Sequence, residues 1–432
     1  MNQQIHGWGA YPKIISEVLM PRSLSACKDN LNQPLIARGM GRSYGDSANA
    51  PVVMQTNALD RYIEFDTERG LLTCEAGVTL RDILTLIVPR GWFLPVTPGT
   101  SYVTVGGAIA SDVHGKNHHI AGTFCQHVES MALLLGSGDI VTLSPTHLPE
   151  LFYATCAGMG LTGIILVATI KLMRISSSNI IQKTIKATCI EDLCYQCEAH
   201  QQSTYSVAWI DCVTNGQRLG RSVLMLGEHA DDKQLALNLK EPLSLPVYAP
   251  ATWLNKYTVS LFNCFYYARA THNLTQNVAM FPYFYPLDSI GQWNKLYGKA
   301  GFVQYQFVLP KEYGVENMRA ILKKIADSGL GSFLAVLKQF GPQNLNLLSF
   351  PLLGYTLALD FKISANTIKL LNEIDAMVIS MGGRIYLSKD ALMSELTFKA
   401  SYPQWQRFEA IRDSYQAIGK FASAQSKRLG LQ

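Results

Sequence analysis

Two glycine-rich segments give the clearest indication of a binding site in this sequence. In the first, residues 37–46, three glycines stand with two arginines. Glycines let successive N–H groups face one anion, so this loop predicts a pyrophosphate site. The second, residues 98–115, joins a Pro-Gly turn to a run of small residues ending at His114-Gly115. Small residues let the backbone approach a large flat molecule, so this segment predicts a cofactor wall. Because residues 98–115 have few large side chains to bury, we do not expect them to form a packed helix or strand.

Four polar side chains outside these loops could act on a substrate, and each also has an ordinary structural explanation. Lys389 and Lys338 could stabilise negative charge or bind a phosphate or hydroxyl, or they could be solvated surface lysines. Gln304 and Gln306 alternate along an apolar strand and therefore share one face. Their amides need partners, which sugar hydroxyls would supply and a core hydrogen-bond network would supply equally well.

Histidines and cysteines offer further candidates. His114 ends the predicted wall, which favours a place beside the cofactor, although a histidine that orients the turn is the alternative. The doublet His118-His119 is expected at the surface or just behind the site. Cys194 and Cys197 form a single CxxC without a second ligand pair, so we interpret them as small apolar side chains of a helix. No metal site is predicted.

Length and composition predict a two-domain globular protein: 432 residues, 48% hydrophobic and 16% charged. The net charge of +5 is too small and too dispersed to indicate nucleic-acid binding. No apolar run reaches the ~18 residues of a spanning helix, and the N-terminus lacks the pattern of a signal peptide. Nine cysteines without framework spacing indicate reduced thiols. We expect a cytoplasmic protein, with peripheral contact at the inner membrane face left open.

Apolar periodicity and turn residues predict a series of elements in the first part of the chain. They are short apolar runs at 34–37 and 52–55, strands at 62–66 and 71–75, a helix from Thr79 to Pro89, two strands within 127–143, a helix at 148–156 and a strand at 163–173. Residues 158–163 fit the GxGxxG pattern, but a helix precedes them and a strand follows. That order excludes a Rossmann site and favours a tight turn. A polar hinge at 176–179 predicts a domain boundary.

Both glycine loops resemble the PCMH-type FAD-binding fold of the vanillyl-alcohol-oxidase family. Residues 111–119 resemble the polyprenylphosphoryl-ribose 2-oxidase branch, the flavoprotein half of a decaprenylphosphoryl-ribose 2-epimerase. Further similar strings extend this resemblance over nearly the whole chain, at 208–211, 255–257, 285–288, 304–307, 340–342 and 388–390. The resemblance implies an α+β fold. A two-part FAD domain, 1–175 and 384–432, would enclose a central substrate domain, 176–383, with an antiparallel sheet, and Gly382-Gly383 would mark the return.

The resemblance also implies FAD as cofactor and assigns the site. The residues that would contact FAD are Arg38, Gly39, Met40, Gly41, Arg42, Ser43, Tyr44, Pro98, Gly99, Thr100, Gly106, Gly107, Ala110, Ser111, Val113, His114, Gly115, Asn117, His118, Ile164 and Tyr386. Those that would contact substrate are Trp209, Phe284, Gln304, Gln306, Lys338 and Lys389. Lys389, His114 and Tyr386 would be catalytic, with Tyr386 positioning Lys389.

Two departures from relatives affect these expectations. Many relatives attach FAD covalently through a histidine where this chain has Arg42, and no cysteine precedes Gly106 at the usual second attachment point. We therefore expect FAD to be bound without a covalent bond. Close relatives carry Tyr-His before a Pro-Leu-Asp string, whereas this chain has Phe284-Tyr285, which changes the finer substrate contacts.

The activity implied is FAD-dependent oxidation of the 2-hydroxyl of a polyprenylphosphoryl-β-D-ribose to the 2-keto sugar. Lys389 and His114 are both candidate bases, and the sequence does not choose between them. An NAD-dependent short-chain reductase would be the partner that completes epimerisation to the arabinose. An aldonolactone or other free-sugar oxidase is the alternative enzyme, although the C-terminus lacks the His-Trp motif of those relatives. A non-catalytic flavin-binding scaffold is the alternative from another class.

Residues 252–267 are rich in aromatic side chains. A lipid-linked substrate needs an apolar entry, and aromatic residues with an occasional lysine suit a membrane interface. Such stretches also occur as core or as the lid of a pocket, and that alternative stays open.

Overall fold

A computed structural model describes residues 2–237, 239, 243–250 and 253–431. Met1, Thr252 and Gln432, which fall within the predicted ranges above, lie outside the described residues. Strands and helices both contribute substantially, and the largest sheet is antiparallel throughout, as an α+β fold requires.

Three sheets organise the strands. In the order in which neighbours pair, the first contains Asn2–His6, Lys13–Leu19, Val52–Gln55 and Ile36–Arg38; the second contains Tyr62–Asp66, Leu71–Glu75, Ile164–Lys171, Val128–Leu134 and Ile140–Leu143. The third contains Leu274–Ala279, Asn179–Ala187, Ser222–His229, Tyr205–Ile210, Ala335–Phe340, Gly354–Lys362, Phe302–Pro310 and Arg384–Ile385. Small two-stranded pairings join Trp92–Phe93 to Met173–Arg174 and Leu243–Ser244 to Ile290–Gly291.

Helices cover these sheets and connect their strands. The α-helices are Leu24–Asp29, Leu80–Ile87, Val105–Ala110, His118–Ala121, Pro149–Thr155, Ile190–Ala199, Lys256–Arg269, Met280–Phe284, Gly314–Ser328, Ala365–Ser380, Glu395–Ser401, Trp405–Ser414 and Ala424–Arg428. Short 3₁₀ turns occupy Val88–Arg90, Phe124–His127, Gly216–Arg218, Pro286–Ser289, Trp293–Tyr297 and Leu387–Lys389. Among the described residues, no helix combines the length and apolar character needed to cross a membrane.

The predicted elements of the first part are confirmed, within a few residues at their ends. The helix Leu80–Ile87 shows why: the Thr79 side chain caps its N-terminus by accepting from the Asp82 N–H at 3.2 Å, and Gly91 follows with φ 76°. The four residues at helical spacing on one face, Leu80, Ile83, Leu84 and Ile87, are all buried. The helix predicted for Cys194 and Cys197 is also confirmed as Ile190–Ala199, with both thiols buried.

One expectation about the wall is wrong. The wall contains a helix, Val105–Ala110, because Thr104 caps it and three of its side chains, Val105, Ala108 and Ile109, are buried in the core. Small residues here allow close packing rather than preventing a helix. The segment 176–179 is held by side-chain hydrogen bonds, since Ser177 donates to Asp232 at 2.6 Å and Ser178 donates to the Ala236 carbonyl at 2.7 Å. The domain boundary predicted there stays a prediction.

The end of the chain lies against its beginning. Leu35 forms an isolated parallel bridge with Phe421. Arg428 reaches the carboxylates of both Asp46 and Asp390, at 2.7 Å and 2.9 Å, so one guanidinium joins the segment after the first glycine loop to the segment after Lys389. These contacts bring residues almost four hundred positions apart into one small region.

Candidate functional site

The first glycine loop presents unused backbone donors. It follows the strand Ile36–Arg38, and Gly41 adopts a left-handed conformation with φ 62°. Within the described residues, the N–H groups of residues 39–43 donate no hydrogen bond to a protein acceptor. The loop is nevertheless held in place, because the Tyr44 N–H donates to the Ser388 carbonyl at 3.0 Å. A fixed loop with free donors is what an anionic group requires.

The two arginines of this loop have different roles. Arg38 donates to Asn49 at 2.8 Å and to the carbonyls of Ala48 and His6, so its guanidinium holds the loop rather than facing a ligand. The guanidinium of Arg38 is thus used within the protein, and the contact of Arg38 with FAD stays a prediction. Arg42 lies 4.1 Å from the centre of the Trp8 ring, and its buried Nε has no protein partner. Of the two cations, Arg42 is the one available to a phosphate.

The second glycine segment exposes one face of the helix Val105–Ala110. Gly106, Gly107, Ala110 and Ser111 keep accessible surface, whereas the other side of the helix is buried. A side chain added at Gly99 would meet nothing within 4 Å, so open space lies over this turn. Ser101 anchors the turn, since Asp288 accepts from its N–H at 2.7 Å and from its hydroxyl at 2.8 Å.

We call the two accessible segments the cradle: residues 39–43, 98–100 and the exposed face of the helix Val105–Ala110. It combines free N–H donors, one unpaired guanidinium and a strip of glycine and alanine. Pyrophosphate needs the first two, and a planar ring system needs the third. The residues present therefore fit FAD.

His114 lies deep between the cradle and the large sheet. Its Nε2 is 3.0 Å from the amide nitrogen of Gln306, and that amide also donates to the Thr356 hydroxyl at 3.1 Å. Because the Thr356 hydroxyl itself donates to the Phe307 carbonyl, His114 Nε2 is the acceptor and Nδ1 carries the proton. Burial lowers the pKa of His114 well below its usual range, and the nearby Lys338 lowers it further.

Lys389 is half-buried and stands on an aromatic face. Its Nζ lies 3.9 Å from the centre of the Tyr44 ring, a cation–π arrangement. Burial lowers the pKa of Lys389 to about 7, while Asp360 opposes that change. The backbone of Lys389 is fixed because its N–H donates to the Tyr386 carbonyl at 3.0 Å.

Tyr386 links Lys389 to the cradle. Its hydroxyl donates to the Ser111 carbonyl at 2.8 Å, and its ring stacks on Phe350 at 4.5 Å and lies 5.5 Å from His114. The structure thus brings the three predicted catalytic side chains, His114, Tyr386 and Lys389, to one place beside the wall.

Lys338 and Lys389 also lower the pKa of His114, and Lys338 lowers that of Lys116, so we call Lys116, Lys338 and Lys389 the lysine cluster. Burial lowers the pKa of Lys338 to about 8 and that of Lys116 to about 7, and Lys338 adds to the shift at Lys116. The Lys116 amine donates to the Tyr283 carbonyl and lies 4.3 Å from the centre of the Tyr283 ring. Ammonium groups that lower one another's pKa favour an anionic ligand beside them.

Several predicted site residues have other surroundings than expected. Ile164 begins a strand and is completely buried in the core, so its side chain offers a ligand no surface. His118 is buried too: its Nδ1 accepts from the Gly341 N–H at 3.0 Å, because the doublet packs against the large sheet rather than facing solvent. Of the two places expected for His118, the surface is therefore wrong, and a place just behind the site stays a prediction. His119 is partly exposed and bonded to the Ser203 carbonyl at 2.9 Å.

The residues predicted to contact the substrate also have partners within the protein. Gln304 donates to Asp360 at 2.6 Å and Gln306 bonds to His114 and Thr356, so both amides belong to a buried hydrogen-bond network. Trp209 donates from its indole nitrogen to the Phe333 carbonyl at 3.0 Å. Phe284 packs into an aromatic cluster with Tyr205 at 4.8 Å.

Sequence reasoning missed three side chains. Asp360 accepts from Gln304 beside Lys389, Asp288 holds the second glycine turn, and Lys116 joins the lysine cluster. Asp288 and Lys116 both fall within strings that carried the family resemblance, which was the available signal. Asp360 had no local signal, because its neighbours come from other strands.

Comparison with known proteins agrees with this geometry. A family described as FAD binding domain matches residues 20–144, which include both glycine segments. A decaprenylphosphoryl-β-D-ribose oxidase from Mycolicibacterium smegmatis is 38% identical over 99% of this chain and 98% of its own length. An uncharacterised Streptomyces coelicolor protein is 30% identical over 82% of this chain and all of its own length. An L-gulonolactone oxidase from Scyliorhinus torazame is 29% identical, but over only 37% of this chain and 36% of its own length.

The cradle, the fold and the matched FAD binding domain define a class: the protein is an FAD-dependent oxidoreductase. Similarity over almost the full length narrows the class further. The chain belongs to the family of the decaprenylphosphoryl-β-D-ribose oxidase.

Proposed function

We propose that this enzyme oxidises the 2-hydroxyl of a polyprenylphosphoryl-β-D-ribose to the 2-keto sugar, the first half of epimerisation to the arabinose. The observation that carries the proposal is the similarity over 99% of the chain to a decaprenylphosphoryl-β-D-ribose oxidase. Similarity to an L-gulonolactone oxidase stops at 37% of the chain, so it supports a shared cofactor rather than a shared substrate.

FAD, when bound, supplies the hydride acceptor for the carbon that carries the hydroxyl. The chain must then supply a proton acceptor for that hydroxyl. Lys389 is the better candidate, because a pKa of about 7 leaves part of its Nζ unprotonated at neutral pH. His114 is the poorer one, since its Nε2 lone pair already accepts from Gln306. Once protonated, the Lys389 ammonium stabilises negative charge that accumulates beside it.

The rest of the lysine cluster fits the charge of the substrate. We assign Lys338, together with Lys116, to the phosphate of the lipid-linked sugar, because partly buried ammonium groups are costly unless an anion joins them. Gln304, Gln306, Trp209 and Phe284, which are buried behind the site, would support the residues that contact the substrate. His114, with its proton on Nδ1, would act as a neutral donor rather than as a base.

We propose that FAD is held without a covalent bond and that both chain ends build its domain. Arg42 occupies the place where relatives carry the attached histidine. The contacts of Arg428 with Asp46 and Asp390 support a two-part FAD domain around the central sheet. Acid precipitation tests the attachment: the flavin should appear in the supernatant, and a yellow pellet would contradict the proposal.

The finer partners are also proposals. Epimerisation needs a separate NAD-dependent short-chain reductase to return the 2-keto product to the alcohol level. The helix Lys256–Arg269 exposes Tyr257, Leu261 and Phe265, which supports its use as an apolar entry or membrane contact for a polyprenyl chain.

One anaerobic stopped-flow experiment tests the substrate. The purified holoenzyme is mixed with a short-chain prenylphosphoryl-β-D-ribose, with the corresponding arabinose compound and with L-gulono-1,4-lactone. We expect rapid flavin bleaching with the ribose compound alone. Bleaching by the lactone instead would favour the free-sugar oxidase, and a flavin that no sugar reduces would favour the scaffold.

A further inference from the structure

The helix Val105–Ala110 ends at an aspartate in a position where glycine is usual. The Asp112 N–H donates to the Ile109 carbonyl at 2.9 Å, and the Val113 N–H donates to the Ala108 carbonyl at 3.0 Å. These two bonds form a Schellman motif, which places one residue in the left-handed conformation. Here that residue is Asp112, with φ 39°. An aspartate adopts this conformation at some cost in strain, so we expect its side chain to supply the compensation.

Three hydrogen bonds hold the carboxyl of Asp112, which is buried. Its Oδ1 accepts from the Cys125 N–H at 3.0 Å. Its Oδ2 accepts from the side-chain amides of Asn344 at 2.7 Å and Asn346 at 2.6 Å. All three partners are N–H donors, so both oxygens act as acceptors. The carboxyl therefore ties the end of the helix to two separate segments, the turn that contains Cys125 and the loop that contains both asparagines.

The peptide group before Asp112 faces the site. Its carbonyl oxygen, which belongs to Ser111, accepts from the Tyr386 hydroxyl at 2.8 Å. Because the peptide is planar, the direction of this carbonyl depends on the φ angle of Asp112. The Tyr386 carbonyl in turn accepts from the Lys389 N–H at 3.0 Å. A continuous set of contacts thus runs from the Asp112 carboxyl to the turn Leu387–Lys389.

The loop that binds Asp112 also contacts Tyr386. The Asn346 carbonyl accepts from the Ser349 N–H at 3.1 Å, and the next residue is Phe350. The Phe350 ring stacks on the Tyr386 ring, with 4.5 Å between the ring centres and 21° between the ring planes. Tyr386 is therefore held at its hydroxyl by the end of the helix and at its ring by the loop.

We propose that Asp112 is a positioning residue: its hydrogen-bonded carboxyl fixes the Ser111 carbonyl as the acceptor of Tyr386, and thereby fixes the turn that carries Lys389. Glycine would permit the same backbone angle, but it could not bind the three donors. Asp112 acts through Tyr386 rather than by touching the substrate. The inference rests on the proposed function in taking Lys389 as the group that acts on the sugar.

The test compares Asp112→Asn, Tyr386→Phe and the double variant. Asparagine also tolerates the left-handed conformation, but its NH₂ group must face one of the three donors, so at least one hydrogen bond is lost. Phenylalanine at position 386 keeps the ring that stacks on Phe350 and removes only the hydroxyl. If Asp112→Asn fails to fold or to bind flavin, Asn344→Ala replaces it, because it removes one donor and leaves the carboxyl in place.

Asp232→Asn is the matched control. Asp232 is exposed, and its Oδ1 accepts from the Gln234 N–H at 3.1 Å. Its Oδ2 accepts from the side-chain amides of Asn179 at 2.8 Å and Asn277 at 3.1 Å. The pattern of one backbone donor and two asparagine amides is the same as at Asp112, but none of these groups contacts the site. This variant should match the wild type in both measurements below.

Hydrogen–deuterium exchange of the holoenzyme, followed by mass spectrometry, measures how firmly residues 386–390 are held, and it needs no substrate. We expect Asp112→Asn and Tyr386→Phe each to speed exchange there by about fivefold, as the loss of one hydrogen bond predicts. The double variant should exchange no faster than the single variants, because both changes remove the same contact. Wild-type exchange in Asp112→Asn, or an increase of about 25-fold in the double variant, would overturn the proposal.

Flavin reduction connects this contact to the chemistry. We expect each single variant to lower the rate at saturating substrate by about tenfold with little change in KM, because the turn that carries Lys389 is misplaced. The double variant should also lose about tenfold, whereas independent effects would multiply to about 100-fold. Faster exchange with an unchanged rate in both single variants would overturn the positioning role. A wild-type flavin that the prenylphosphoryl-ribose does not bleach would instead overturn the proposed function, and the exchange measurement would still test the contact.

Discussion

The cradle and the lysine cluster meet at one site but are built in opposite ways. The cradle uses backbone N–H groups and small residues from residues 39–43, residues 98–100 and the exposed face of the helix Val105–Ala110. The lysine cluster uses side chains from the wall, from a central strand of the large sheet and from the turn Leu387–Lys389. Backbone recognition depends on glycine where a close approach is needed. Side-chain chemistry depends on burial and on neighbours that are distant in sequence.

The largest expected effect is on the cradle. In Gly107→Val the first added carbon would lie 3.1 Å from the Thr104 hydroxyl oxygen, and two further methyl groups would extend over the accessible face. Overpacking at a surface meant for a planar ring should prevent its binding. We expect folded protein that retains less than about a tenth of the flavin, since such clashes cost ~1–3 kcal/mol or more.

The ratio of flavin to protein absorbance after desalting measures this loss, with circular dichroism to check folding. Gly107→Ala is the graded control, because one methyl group fits in ordinary contact after a small shift, and it should keep most of the flavin. Normal flavin content in Gly107→Val would show that this face is not part of the cradle.

The next effect is on the lysine cluster. In Lys389→Ala the proton acceptor and the cation are both lost, while the cradle is untouched. Losing one electrostatic group in a dry site costs roughly 3 kcal/mol, or about 100-fold in the rate of flavin reduction. FAD binding should largely survive, which distinguishes this variant from Gly107→Val.

Single-turnover reduction under anaerobic conditions measures this step without interference from product release. Lys399→Ala is the control: Lys399 bonds to Glu395 on the surface of a nearby helix, so its loss should leave the rate unchanged. A Lys389→Ala rate within about threefold of wild type at saturating substrate would remove Lys389 from the catalytic group, given the expected ~100-fold loss.

The same contrast explains what the sequence could predict. The strands and helices of the first part followed from local apolar periodicity and turn residues, as at Leu80–Ile87. The cradle followed from glycine content, but its helix Val105–Ala110 did not, because packing of small residues against a sheet is a tertiary effect.

Within the lysine cluster, the family resemblance assigned Lys338 and Lys389 but not Lys116, and no local pattern separates Lys389 from a surface lysine. Even that resemblance did not reveal Asp360. Its significance comes from the register that sets it opposite Gln304 and near a turn about thirty residues later in the chain. The hydrogen bonds of Arg38 could not be predicted from the sequence either, because residues 6, 48 and 49 come close to its guanidinium only in the folded chain.

The smallest predicted effect concerns the link between the two regions. Arg428 holds Asp46, which follows the first glycine loop, and Asp390, which follows Lys389; both carboxylates are about 5% exposed or less. In Arg428→Met these two buried carboxylates lose their shared cation, which should lower the free energy of unfolding by about 2–3 kcal/mol at neutral pH. Denaturant unfolding of the holoenzyme measures this change, and Arg407→Met is the control.

Arg407 pairs with Glu150 on the exposed surface, so its loss should cost about 0.5 kcal/mol or less. The amount by which Arg428→Met lowers the free energy of unfolding, relative to wild type, should also decrease as the pH falls. Burial already raises the pKa of Asp46 above its ordinary value, and without Arg428 it rises further. The folded variant then binds a proton more readily than the unfolded chain, so its deficit shrinks as the pH falls from 7 towards about 4. A deficit that is equal at both ends of this range would show that Arg428 contributes through packing, and that the two regions are not joined electrostatically.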